Sequence, residues 1–155
     1  MGRRTKIVNR EIAPDVNYNS VALSKFINYI MKKGKKSVAR KIVYDAMEIV
    51  VDKKKDPLKT FEAAIENVSP LMEVKSKRVG GATYQVPIPV GKERRFSLAS
   101  RWIINSAKSK KGRPMREKLA EELINAASNT GVAVKKKEEI HKMAEANKAF
   151  AHFAW

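Results

Sequence analysis

The chain contains no cysteine and only two histidines. The first absence removes a disulfide framework, a thiolate zinc site and a cysteine nucleophile together. The second leaves too few imidazoles for a His-rich metal site. No apolar run approaches the ~18 residues that span a bilayer, so a membrane-spanning helix is not expected. The start, Met1-Gly2-Arg3-Arg4-Thr5-Lys6, is basic but leads into no apolar stretch, and no secretory leader is expected. There is no Ser/Gly-rich linker and no repeat of 20–50 residues, so the expectation is one domain over 1–155. Acidic residues are also scarce. Sixteen Asp and Glu stand against 33 Lys and Arg, for a formal net charge of +17.

What is present is enough for a core. Of the 155 residues 43% are hydrophobic, and a chain of this length buries about 70% of its unfolded surface. Such a charge excess makes the folded state repel itself, which points to a polyanionic partner. The excess is uneven. Residues 1–44 carry a net +9 and 69–116 a net +10, whereas 45–68 carry −2 and 117–155 are neutral. Charge that served solubility alone would be scattered, so two separated basic blocks read as the footprint of one ligand.

Period and punctuation predict about six helices. Ser20 caps a helix with Leu23, Phe26, Ile27, Ile30 and Met31 on one side, Lys32 and Lys33 in its last turn and Gly34 as its stop. A second helix begins near Ser37, its stripe Val38, Ile42, Val43, Ala46, Met47 and Val50. Asp56-Pro57 is an N-cap followed by proline at the first helical position. Leu58, Phe61, Ile65 and Val68 then face inward until Ser69-Pro70. A fourth helix follows Gly91, with Ala99, Trp102, Ile103 and Ala107 toward the body. A fifth opens at Pro114 with Met115, Leu119, Leu123 and Ala127 and ends at Gly131. A sixth runs from about Val132 or Lys135 to about Lys148.

Between the third and fourth helices the period changes to two. Residues 71–90 form two extended runs about Gly80-Gly81, which suits a two-residue hairpin turn. That register sets Val79 against Ala82, Lys77 against Tyr84 and Lys75 against Val86. It puts Pro87 and Pro89 opposite Val74 and Met72, where their missing N–H groups cost the ladder nothing. Neither face is cleanly apolar, so the ribbon is expected to stand alone. The fold class is therefore mainly α: a bundle of about six helices with a protruding antiparallel hairpin. It carries a basic arm at 1–18 and an aromatic tail at 149–155.

The cations fall into groups. Arg3, Arg4, Lys6 and Arg10 lie on an arm with too few apolar residues to pack, which would order on RNA. Lys32, Lys33, Lys35 and Lys36 crowd one interhelical turn, an arrangement that phosphate relieves. Lys75, Lys77 and Arg78 lie beside Tyr84 on the ribbon, a set suited to backbone contact with stacking. Arg94, Arg95 and Arg101 continue that surface, and Lys108, Lys110, Lys111, Arg113 and Arg116 make a last cluster. His141 and Glu145 share a helix face but fill at most half a zinc site, so no metal or other cofactor is expected. No nucleophile–base constellation supports an enzyme. Trp102 reads as core, while Phe153 and Trp155 suit either stacking on RNA or docking on the body. Two rival functions are weaker. An architectural DNA binder would carry an apolar wedge where Gly80-Gly81 lies, and a membrane-surface helix would need an apolar face that the core leaves unused.

Three segments carry a resemblance. LSKFINYIMKKGKK (23–36), ENVSPLMEVKSKRVGGATYQVPIPV (66–90) and VAVKKKEEIHKMAEANKAFAHFAW (132–155) resemble bacterial-type small-subunit ribosomal protein seven, over essentially the full length. The resemblance implies a non-enzymatic ribosomal protein in the cytoplasmic ribosome. It implies primary binding to the head domain of small-subunit ribosomal RNA, where it nucleates assembly. It also implies a hairpin near the exit-site tRNA, with mRNA among the candidate contacts, and ribosomal proteins nine and eleven as neighbours.

Overall fold

A computed structural model describes residues 11–53 and 55–154. Arg3, Arg4, Lys6 and Arg10 of the basic arm, and Trp155 of the tail, lie outside the described residues. The elements in chain order are α1 (Val21–Ile30), α2 (Lys36–Asp52), α3 (Pro57–Val68), β1 (Met72–Val79), β2 (Ala82–Pro89), α4 (Lys92–Ser109), α5 (Met115–Ala127) and α6 (Val132–Ala146). A short 3₁₀ helix, Lys148–Phe153, follows.

Local chemistry sets the boundaries. The Ser20 hydroxyl accepts the Leu23 N–H at 3.3 Å, and the Asp56 carboxylate accepts those of Leu58 and Lys59 with Pro57 at the first position. Helix α1 stops earlier than expected. Met31 already leaves helical geometry, and Lys33 and Gly34 take positive φ of 51° and 72°. Lys32 and Lys33 therefore sit in the turn rather than on the last helical turn. Gly131 starts α6, with φ of 98°, instead of ending α5, which finishes at Ala127.

Helix α5 is central and packs on α2, α3 and α4. The core gathers Leu23, Phe26 and Ile27 of α1, Val43 and Met47 of α2, Phe61 of α3, Ile103 of α4, and Leu119 and Leu123 of α5. Phe26 and Phe61 meet edge to face, ring centres 5.2 Å apart. Ile65 and Trp102 are half-buried at its margin. Val38 departs from the expected stripe and is exposed, because the first turn of α2 lies at the lip of a groove rather than over the core.

The hairpin register is the expected one along its length, from Val79↔Ala82 to Met72↔Pro89 with Val74↔Pro87. Its isolation is not. Val86 and Pro87 are buried, α6 and the 3₁₀ helix pack on the ribbon, and Lys77 Nζ donates to the Phe153 carbonyl at 2.9 Å. Phe150 and Phe153 lie 5.2 and 5.0 Å from the Tyr84 ring. The aromatic tail thus folds back as a 3₁₀ turn and gives one ribbon face the apolar cover that the strands lack. The arm is likewise tied in at its end. Asp15 is buried, accepts the Asn17 and Tyr18 N–H groups, and receives the Tyr44 hydroxyl at 2.8 Å.

Candidate nucleic-acid interface

Helix α4 carries Arg94, Arg101 and Lys108 at seven-residue spacing, which places them on nearly one stripe, about 10.5 Å apart along the axis. Each meets a different neighbour. Arg94 donates through Nε and Nη2 to Glu73 at the hairpin root, both at 3.2 Å. The Arg101 guanidinium lies 5.8 Å from the centre of the Tyr29 ring on α1. Lys108 joins Lys32 and Lys35 around a groove of about 320 Å³ whose floor is Ile30, Ala39, Ile42 and Met115.

That groove brings together two cation groups more than 70 residues apart in sequence. Partial burial holds the Lys108 ammonium below the ordinary lysine range, and the neighbouring Lys32 charge lowers it further. Lys32, Lys35 and Lys108 make no ion pair among the described residues. Like charges held over an apolar floor create a positive potential that an incoming phosphate relieves. Lys33 and Lys36 stand exposed on the same turn.

The last cluster divides. Lys110 bridges Glu121 at 3.1 Å and the buried Glu122 at 3.2 Å. Arg113 meets Glu121 at 3.5 Å, and Arg116 meets Asp45 at 3.4 Å. Lys110 in particular has its charge answered within the fold. Its hydrogen bond to Glu121 holds that carboxyl below its usual range, and Glu122 also accepts the Ala133 N–H at the start of α6. Lys108 and Lys111 remain without carboxylate partners among the described residues.

At the ribbon, Lys75 pairs with Glu73 at 3.2 Å, Arg95 donates to the Val90 carbonyl, and Arg78 is exposed. Tyr84 is covered by Phe150 and Phe153, so its ring is part of a packed aromatic cluster. His141 Nε2 accepts the Leu71 N–H, which makes it a strut of the hairpin root. Among the described residues no group of three or more side chains is placed to hold a metal, and no helix is long and apolar enough to cross a membrane. Sequence reasoning passed over Tyr29. Its ring lies off the apolar stripe of α1, and an exposed aromatic outside the stripe is the signal that could have found it.

The family model described as Ribosomal protein S7p/S5e matches residues 2–148. The chain belongs to that family. It is a small-subunit ribosomal protein of bacterial type, not an enzyme, and its place is the cytoplasmic ribosome. It is 61% identical over 154 residues to small ribosomal subunit protein uS7 of Thermosipho africanus, covering 99% of each chain. The same protein of Dictyoglomus thermophilum is 58% identical over the whole of both chains, and that of Chloroflexus aggregans 56% over 99% of this chain and 98% of the relative. For an S7-family protein, the grouping of Lys32, Lys35 and Lys108 at one groove gives the positive charge a location.

Proposed function

We propose that this chain is a primary binder of small-subunit ribosomal RNA that seats on the head domain and nucleates its assembly. The hairpin then lies near the exit-site tRNA, with mRNA within reach, and ribosomal proteins nine and eleven are its neighbours. The observation that carries the reading is the convergence of Lys32, Lys35 and Lys108 on one groove, with no carboxylate paired to them among the described residues. Phosphate is the ligand that such a groove fits, and counterion release supplies the affinity. Arg94 and Arg101 extend the positive stripe toward the hairpin, so one RNA can follow α4 from the groove to the ribbon. Lys33, Lys36, Lys75, Arg78, Arg95 and Lys111 line its edges, and Arg3, Arg4, Lys6 and Arg10 contribute further cations to the RNA.

The test compares affinity for a head-domain ribosomal RNA fragment with affinity for duplex DNA of equal length, at one salt concentration. The reading predicts clear preference for the structured RNA. Equal or tighter binding of the duplex would replace it with an architectural DNA binder.

A further inference from the structure

A second surface pocket, of about 290 Å³, lies between α1 and the start of α4, lined by Ile12, Lys25, Asn28, Tyr29, Glu93 and Phe96. Tyr29 and Phe96 form an aromatic wall, ring centres 6.3 Å apart and tilted by 50°. The Arg101 guanidinium lies over the Tyr29 ring. Tyr29 is 36% exposed, so the ring is held yet accessible.

Glu93 is the unexpected member. Residues 69–116 hold two acidic side chains against twelve basic ones. Glu73 serves Lys75 and Arg94, whereas the Glu93 side chain makes no ion pair or hydrogen bond among the described residues. Glu93 lies in the first turn of α4, where the helix dipole favours its charge, and its carboxylate stays available to accept from a ligand group other than phosphate. Nucleobase edges provide such donors. Guanine alone presents two adjacent N–H groups, at N1 and N2, to a single carboxylate, and its O6 can accept from the Asn28 amide. The aromatic wall offers the stacking surface that an unstacked base requires. Lys25 and Arg101 supply cations for the flanking phosphates.

We infer that this pocket receives a single unstacked guanine of the bound RNA, stacked on Tyr29 with Phe96 against its edge, and read by Glu93 and Asn28. The inference rests on the RNA-binding reading above and adds a base-specific contact to it.

The experiment measures fluorescence anisotropy of labelled heptaribonucleotides of uridine carrying a central guanosine, adenosine, cytidine or uridine. The full chain is tested as wild type, Tyr29→Ala, Tyr29→Phe and Glu93→Gln, each checked for unaltered circular dichroism. The guanosine oligomer binds wild type about tenfold more tightly than the uridine one. Tyr29→Ala removes that advantage and Tyr29→Phe retains it. Glu93→Gln brings the four oligomers within about twofold of one another while uridine binding holds. Equal binding of all four by wild type, or a guanosine preference that survives both Tyr29→Ala and Glu93→Gln, overturns the inference. If the oligomers are not discriminated but a head-domain RNA fragment still binds with steep salt dependence, the pocket assignment alone fails. If neither RNA binds, the functional reading fails with it.

Discussion

His141 Nε2 accepts the backbone N–H of Leu71 at 3.0 Å and so fastens the root of the hairpin to α6 across 70 residues of sequence. Lys137, one turn earlier on α6, donates to the Asn67 carbonyl at 2.6 Å and secures the end of α3. Together they fix the direction in which the ribbon leaves the body.

That bond requires a neutral imidazole. Burial lowers the His141 pKa below its ordinary value and the Lys137 charge lowers it further. The folded pKa lies below the unfolded one, so the contribution is fully present above about pH 6.5 and is lost as pH falls through the folded pKa. An NMR titration should give a His141 midpoint below 6.5. The stability difference between wild type and His141→Phe, measured by urea unfolding, should shrink between pH 7.5 and pH 5. A midpoint at or above 6.5 would contradict the accepting role.

The core can be separated from the interface. Leu119 is fully buried on the central helix, so Leu119→Ala should cost about 2–5 kcal/mol in stability. RNA affinity, measured well below the melting temperature, should stay nearly unchanged. A large loss of affinity with normal stability would place α5 at the RNA surface instead.

The hairpin and the tail should respond together. An isolated two-stranded ribbon is marginal in water, and here Tyr84 shares its ring contacts with Phe150 and Phe153. Tyr84→Ala should raise amide exchange across residues 148–153 and along β2 while leaving α1–α5 protected. Deleting residues 75–85 should preserve the helical circular dichroism signal and ribosomal RNA affinity, and impair translational fidelity more than either. Loss of the helical signal would make the ribbon part of the folding unit.

The elements were legible where one side chain or one period decides them. Ser20, Asp56-Pro57 and Gly80-Gly81 mark boundaries through their own backbone chemistry, and the ribbon register follows from the turn alone. What sequence could not supply was the company each side chain keeps. Lys110 and Lys108 stand two residues apart in one basic run. One is neutralised by Glu121 and Glu122 of α5 and the other faces a groove with Lys32, a difference that only the packing of α4 on α5 creates. The packing of Phe150 and Phe153 on Tyr84 was not legible, because they lie about 70 residues away in sequence. The ribbon read as solitary for the same reason: its mixed faces are completed by a distant 3₁₀ turn.

In the function proposed above, the α1–α2 turn and the α4 stripe form one phosphate footprint. The most direct test is the dependence of log K on log salt for a head-domain ribosomal RNA fragment. With six to eight cations on phosphates, wild type should show a slope of roughly −4 to −7. Lys35→Glu and Lys108→Glu, which lie on different segments but line the same groove, should each flatten the slope by about one unit. A wild-type slope near zero, or a slope that neither substitution changes, would contradict the account.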